Sequence, residues 1–510
     1  MTAPPHGRDR RAVMLPAEPG SPAPIGTPPH VVVVGGGIAG LAAATALAER
    51  GVRVTLLEGR AMLGGRLAGR PIDLVDGTRA TMSRGFHAFF RQYYNLRALL
   101  RRTDPGLRHL TALPDYPLRH SAGHEDGFAR IPRTPPWNVL GFVARSPTFG
   151  LADLFAMDAR AARPLLDVRV PEVYERLDGT SAADFLAAIR FPPAASHLAF
   201  EVFSRSFFVD PDHLSAAELA LMFHIYFLGS AEGLLFDVPN RPFPQALWDP
   251  LSGYLADLGV EVRTDSEVET IEPTAADGHR VTAAGGELIC DAVVLALDTR
   301  GLRDVVAASV RLGDPAWRTR IAALRTAPRF LVSRLWLDRP VRSDRSGFLG
   351  TSGFGPLDNV SVLERWEDEA AGWARRTGGS VVELHAYAVP GEADRMVVQK
   401  HVLAELRRVY PETARARVLD ARHEWHADCP LFAIGGHRDR PTVTTPHPTL
   451  MLAGDLVRTD LPVALMERAA TTGFLAANAL LERWGVRGHT LWTVPSAGRS
   501  RMLRALVRRL

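Results

Sequence analysis

The run from Val31 to Arg66, VVVVGGGIAGLAAATALAERGVRVTLLEGRAMLGGR, leaves few folds open to the rest of the chain. Four valines with no polar interruption suit a parallel strand covered on both faces. Gly35, Gly37 and Gly40 follow with the spacing GxGxxG; Leu41 to Arg50 then carries helical spacing, and Gly51 ends it. Val52 to Leu57 reads as a second strand closing on Glu58. In such a unit the first glycine permits a tight turn. The second lets backbone approach a pyrophosphate, and the third lets helix pack closely on strand. Ile38 and Ala39, at the helix start, present N–H groups and positive dipole to the phosphates. Glu58 lies where a carboxylate can accept ribose hydroxyls and would repel a 2′-phosphate. The expectation is an α/β chain with a Rossmann-type domain that binds an adenine dinucleotide.

Gly64-Gly65-Arg66 adds a second glycine turn at once. It resembles the GGR that flavoproteins of the amine oxidase and carotene desaturase type place beside the flavin. That resemblance implies FAD as the dinucleotide. It also implies a glutathione-reductase-like FAD-binding domain with an inserted α+β substrate domain. Residues 449–485, TLMLAGDLVRTDLPVALMERAATTGFLAANALLERWG, strengthen it: a strand ends at Gly454-Asp455 and a helix with Gly473 and Asn478 follows. In the resembling flavoproteins that aspartate holds the ribityl chain and the helix start faces the pyrimidine end of the ring, where its dipole stabilises reduced flavin. The small residues of that helix start correspond to Ala469, Ala470, Thr471 and Gly473; Thr472 stands where a serine is often found. Val268, in VEVRTDSEVETIEP, a stretch read as a strand pair, resembles the position whose backbone meets the adenine.

A chain of 510 residues can bury a large core and should form two or more domains. The patterns place the FAD-binding domain at 30–105, 241–300 and 440–485, and the substrate domain at 106–240 and 301–439. Residues 1–29 hold eight prolines and an Arg10-Arg11 pair with no apolar stretch behind it, which reads as a disordered leader. Of 60 basic residues only Lys400 is lysine. So lopsided a ratio reflects coding composition rather than selection for phosphate contacts, and nucleic acid is not expected as a partner. Cys290 and Cys429 form no metal or redox motif, so no metal is expected and a reducing cytoplasm fits. No window offers 18 uninterrupted apolar residues for a spanning helix. The tail, 486–510, ends GRSRMLRALVRRL, pairing Met502, Leu503, Leu506 and Leu510 with five arginines. A basic amphipathic helix on anionic lipid and a solvated charged tail are both open readings.

Between the two flavin motifs, Asp76-Gly77 marks a hairpin. It delivers RGFHAFFRQYYNLRALLRR, residues 84–102, in which Phe86, Phe89, Phe90, Tyr93, Leu96 and Leu100 fall at helical spacing. This stretch resembles zeta-carotene desaturases and, more closely, the bacterial carotenoid φ-ring synthases. Residues 203–242, FSRSFFVDPDHLSAAELALMFHIYFLGSAEGLLFDVPNRP, are similar to the same family. Ser215 to Leu228 reads as a buried or tunnel-lining helix, with His224 a hydrogen-bonded core histidine. Further on, AVVLALD, FLVSRLWL and SVVELHAYAV read as strands and ADRMVVQKHVLAELRRVY as a helix.

The resemblance implies an FAD-dependent carotenoid oxidoreductase that desaturates and aromatises a β-ionone ring with a 1,2-methyl shift and passes electrons to a further acceptor; the insolubility of carotenes and the basic tail add the expectation of a protein peripheral at the inner face of the cell membrane. Phe86, Phe89, Phe90 and Phe227 are then expected to wall the substrate pocket, with His87 and Glu232 as proton acceptors. Two other readings stay open: a linear desaturase of the zeta-carotene type, and a lipid-escort protein that keeps the fold without the flavin.

Overall fold

The computed structural model describes residues 9–192, 195–196, 205–275 and 277–507. The first eight residues of the expected leader, Phe203 and Ser204 of the 203–242 stretch, and Leu510 of the tail lie outside the described residues.

Five parallel strands form the central sheet, in the order Glu261–Arg263, Arg53–Leu57, His30–Val34, Ala292–Leu295, Leu450–Leu452. His30–Val34 is central and fully buried. Its side chains alternate between two cores, which is why an unbroken valine run is required. Val31 and Val33 pack with the helices Ile38–Ala48 and Leu465–Arg483. Val32 and Val34 pack under a three-stranded antiparallel layer, Val268–Pro273, His279–Ala283 and Gly286–Cys290. The two strands of VEVRTDSEVETIEP therefore do not pair with each other. Glu261–Arg263 extends the parallel sheet and Val268–Pro273 starts the covering layer, because the bend between them carries the chain from one to the other.

The two helices touch backbone to backbone. A Cβ on Gly473 would lie 2.2 Å from the Ala39 carbonyl oxygen and 2.9 Å from the Ala42 Cβ. A Cβ on Gly40 would lie 1.9 Å from the Gly35 carbonyl oxygen. These glycines set how closely helix meets helix and turn.

The second half of the molecule is built on a seven-stranded sheet, ordered Val418–His426, Arg329–Leu337, Ser380–Val389, Asn359–Val362, Phe348–Ser352, Leu118–His120, Glu125–Asp126. The helix Arg395–Val409 covers one face. Residues 137–228 supply short helices around a second aromatic-rich core. Ala216–Phe223, buried up to Met222, continues as a fully buried π-helical turn, His224–Leu228.

Three expectations need correction. Residues 9–29 are not a disordered leader: Val13–Leu15 pairs antiparallel with Leu491–Thr493, and the Asp9 carboxylate joins Arg499 and the Ala231 N–H. Proline removes donors from a strand interior, but Val13–Leu15 contains none and finds an edge to pair with. The same contacts make residues 486–499 part of the body rather than a loose tail. Finally, residues 84–102 are not one helix: Phe89–Phe90 is a strand on Phe236–Asp237, and only Tyr94–Leu100 is helical. Tertiary pairing overrode the local 3.6-residue period.

Because the Gly473 contact has no slack, Gly473→Ala should destabilise the folded protein by about 1–3 kcal/mol, the usual cost of overpacking. Urea unfolding of parent and variant would check this; an unchanged midpoint would contradict it.

Candidate active site

One cavity of about 810 Å³ runs from the glycine turn to the seven-stranded sheet, near the upper end of the roughly 300–1,000 Å³ typical of small-molecule sites. Its dinucleotide end is lined by Gly35, Gly37, Ile38, Ala39, Glu58 and Val268. Gly35 is held at φ +106° where a Cβ would strike the Ala296 carbonyl oxygen at 2.5 Å. Gly37, the N-cap of Ile38–Ala48, has no side chain to satisfy the first-turn N–H groups, and no acidic residue sits in that turn. Those donors are left for an anion. The Glu58 carboxylate is fixed by the Gly36 N–H at 2.7 Å and the Arg60 N–H at 2.9 Å.

The middle of the cavity is lined by Gly65, Arg66, Gly454, Asp455 and Ala469. Arg66 reaches Asp455 at 2.6 Å, tying the two motifs together across 389 positions of chain. Gly454 adopts φ +146°, and its N–H donates to the Thr472 hydroxyl at 2.9 Å. Thr472 in turn donates to the Arg468 carbonyl at 2.8 Å, so threonine does here what a serine could. The helix Leu465–Arg483 also begins without a side-chain cap, at Ala464, with Leu465, Met466 and Ala469 on the cavity wall. Two open helix N-termini therefore face one cavity. Its walls meet the needs of FAD: donors for a pyrophosphate, a fixed carboxylate for a ribose, and a second positive dipole for the ring. Gly40 and Gly473 do not line it; their missing side chains serve the helix packing described above.

Beyond Arg66 the wall turns aromatic. Phe86, Phe90, Tyr116, Phe236 and Phe348 line the cavity and pack on one another: Phe86 stacks on Phe348 at 4.3 Å, and Phe90 and Tyr116 approach Phe236 at 5.3 and 4.9 Å. Two expected wall residues are elsewhere. Phe89 alternates with Phe90 along its strand and points into the core beneath the dinucleotide domain, fully buried. Phe227, on the π-helical turn, packs against Phe223 at 5.1 Å and Phe142 at 6.0 Å, away from the cavity. His224 is buried and bonded to the Pro495 carbonyl at 2.7 Å, as a core histidine should be.

The expected proton acceptors fare differently. His87 lines the cavity, and its Nδ1 lies 2.9 Å from the Gly85 carbonyl, so that nitrogen carries the proton. Burial pushes its pKa down to about 4, despite that hydrogen bond, which makes a neutral ring and a weak base. Glu232 does not reach the cavity. It accepts the Asp9 N–H at 2.9 Å and the Tyr94 hydroxyl at 3.2 Å, closing the N-terminal segment onto the body.

The most organised polar group on the cavity was not singled out in the sequence. Asp358, Asn359, His385 and Tyr387 line it, and Glu383 and Arg334 stand behind them. Within SVVELHAYAV the residues Glu383, His385 and Tyr387 alternate with Val382, Leu384 and Ala386, which belong to the core under Arg395–Val409. Three polar side chains at i, i+2 and i+4 in an otherwise apolar strand were the available signal. Burial raises the Glu383 carboxyl but the Arg334 charge overrides it, holding it down at about 2. Burial lifts Asp358 to about 7 against the opposing pull of Arg205.

The Glu58 carboxylate carries a prediction. Losing charge-assisted hydrogen bonds of about 1.5–3 kcal/mol should make Glu58→Ala hold FAD about 10- to 100-fold more weakly. Fluorescence of flavin released on dilution would measure this, and parental retention would contradict it.

Comparison with known proteins agrees with this geometry. Residues 38–481 match the model of the flavin containing amine oxidoreductase family. The chain is 69% identical, over 98% of its length and 97% of the relative's, to the carotenoid phi-ring synthase of Streptomyces griseus. It is 28% identical, over 92% and 91%, to the carotenoid phi-ring synthase of Chlorobaculum tepidum. Among solved structures, wild-type putrescine oxidase bound to putrescine superposes with a TM-score of 0.66 at 19% identity, covering 90% of this chain and all of that one, a likeness of fold. The chain belongs to the flavin-containing amine oxidoreductase family, as an oxidoreductase with FAD as its cofactor.

Proposed function

We propose that this protein desaturates and aromatises the β-ionone ring of a β-carotene-like carotenoid, moving one methyl group to the neighbouring carbon to give a φ-type ring. The observation that carries the reading is the near full-length identity to a protein named carotenoid phi-ring synthase. The aromatic wall that continues directly from the FAD-binding surface supports it.

The chemistry follows from the substrate. Turning one ring double bond into three removes four hydrogens, and the carbon with two methyl groups blocks aromatisation. One methyl must therefore migrate. FAD, when bound, is the acceptor for the hydrides. The protein's part is to hold the ring, exclude water and take up protons. Phe86, Phe90, Phe236 and Phe348 give a flat apolar seat whose π faces also favour developing positive charge on the ring. Gly454-Asp455 and Arg66 would hold the ribityl region of FAD, and the open start of Leu465–Arg483 would favour negative charge at the nearby end of the cofactor. A further electron acceptor completes the cycle.

The substrate's insolubility makes a membrane surface part of the same proposal, with the protein peripheral at the inner face of the cell membrane. No helix of the described residues is long and apolar enough to cross a membrane. Trp137 and Leu140 share one face of Trp137–Arg145 and are 58% and 55% exposed; Phe155, 89% exposed, lies on the next helix, Leu151–Ala156. Met502, 72% exposed, lies on Arg501–Val507 among arginines. Exposed aromatics beside basic residues suit an interfacial site.

Two outcomes are expected. Purified protein should show a flavin absorption band, and given detergent-dispersed β-carotene it should yield a carotenoid with an aromatic end ring by chromatography and mass. A desaturated product without methyl migration would instead favour the linear desaturase, and absence of flavin the lipid escort. In flotation assays the protein should rise with phosphatidylglycerol vesicles. Trp137→Ser with Leu140→Ser should reduce that binding about tenfold or more, as loss of two large apolar contacts implies. A protein that never floats would remove the membrane from the proposal.

A further inference from the structure

The aromatising reaction must dispose of protons as well as hydrides, inside a pocket walled by phenyl rings. Neither proton acceptor expected from sequence is placed for it: Glu232 lies off the cavity, and His87 is a poor base whose Nδ1 is tied to Gly85. Asp358 lines the cavity, but its Oδ2 takes the Tyr387 N–H at 2.5 Å and its Oδ1 lies 3.3 Å from Arg205 Nε.

A different set of groups is continuous. On Ser380–Val389, Glu383, His385 and Tyr387 share one face of the strand, and the neighbouring strands place Arg334 opposite Glu383 and Asn359 opposite His385. Arg334 donates twice to Glu383 Oε1, from Nε at 2.8 Å and Nη2 at 2.6 Å. Glu383 Oε2 makes no hydrogen bond and stands 3.6 Å from His385 Nε2, itself buried and without a hydrogen-bond partner. His385 Nδ1 lies 2.7 Å from the Tyr387 hydroxyl, and the Asn359 amide donates to that hydroxyl at 3.0 Å.

These contacts fix the proton positions. Because Asn359 fills an acceptor site on the Tyr387 oxygen, the phenol proton is free to go to His385 Nδ1. The other ring nitrogen then carries N–H, which is the favourable tautomer opposite a carboxylate; a lone pair there would repel it. Gly85 closes this end. At φ +85° it passes so near that a Cβ would lie 2.7 Å from His385 Nε2. Tyr387, which lines the cavity with His385, is alone of the chain of four in being only partly buried; it lies beside Phe208 at 4.9 Å and in the same packed cluster as Phe330 and Cys429. Arg66, the flavin-motif arginine, and Cys429 line the same cavity.

We infer that Tyr387, His385, Glu383 and Arg334 form a proton relay that takes the ring protons lost during aromatisation, with Tyr387 the catalytic residue that touches the substrate and the other three positioning it. The inference rests on the aromatising function proposed above. Hydride loss leaves a delocalised cation on the ring and polyene. A C–H bond on the adjacent carbon then breaks, and its electron pair forms the new ring C=C. Its proton passes to the Tyr387 oxygen as the phenol proton passes to His385 Nδ1. The resulting imidazolium is held by the Glu383 carboxylate, which Arg334 keeps in place. After the product leaves, the proton returns by way of Tyr387 to solvent. The same relay serves each round of hydride loss.

Holoenzyme mixed with micellar β-carotene in the absence of oxygen reports the first hydride loss as bleaching of the flavin band. A water-soluble quinone then re-oxidises the flavin for the second hydride, and quenched samples report the arene. Tyr387→Phe should slow arene appearance on the order of 100-fold, the usual worth of a general acid–base group, while slowing bleaching far less. The parent should show a solvent deuterium isotope effect on arene appearance that Tyr387→Phe lacks, a signature that loss of packing would not produce. His385→Gln should give the same split between bleaching and arene. Arene formation at the parent rate in Tyr387→Phe, or bleaching that falls in step with the arene, overturns the relay alone. A parent enzyme that bleaches its flavin and makes no arene once the quinone is added overturns the aromatising function and the relay with it.

Discussion

Everything in this molecule that binds a cofactor depends on one close approach, that of Gly473 to the Ala39 carbonyl. It lets two helices from opposite ends of the chain lie against each other over the same parallel sheet. Each helix starts at the carboxyl end of a sheet strand, and each start lacks a side-chain cap. The unsatisfied N–H groups of both therefore open onto one cavity, where a long anionic cofactor can meet them. A bulkier residue would part the helices and misalign both termini.

Charged groups around the middle and behind the aromatic end of the cavity are paired. Arg66 is neutralised by Asp455, Arg84 by Asp428 and Arg334 by Glu383. Glu218, deep at the domain junction, is held between Arg468 of the cofactor-facing helix and Arg440, at 2.9 and 2.8 Å. Burial raises its carboxyl, and the two arginines bring it down to about 2. Such a fully bonded cluster costs desolvation, and its return is a fixed relation between the two domains. Pairing also leaves the aromatic end suited to a hydrocarbon, since an unpaired charge there would have to be desolvated each time substrate entered.

Legibility followed the reach of each signal. The dinucleotide half was readable because its constraints are local: Gly35, Gly37, Gly40 and Glu58 act within one strand–turn–helix–strand unit. Asp455 was readable by resemblance to a second local motif. Phe86 and Phe90 were expected to wall a substrate pocket; both line the cavity, but the helical stripe that named them also named Phe89. Pairing with Phe236–Asp237 turned that stretch into a strand and sent Phe89 to the opposite face. Glu232 failed for a similar reason, since its partner Asp9 comes from a segment whose prolines suggested disorder.

By itself the sequence determined the cofactor, the parallel sheet and the aromatic residues that line the cavity beyond Arg66. Each depends on residue types at short spacing, which a sequence states outright. Tertiary structure alone decided which aromatics face the cavity, that the chain's two ends close on each other at Val13–Leu15 and Leu491–Thr493, and that Tyr387, His385, Glu383 and Arg334 stand in line. Those facts depend on strand register. A shift of one residue reverses every side chain, and register is set by partners hundreds of positions away rather than by the strand itself.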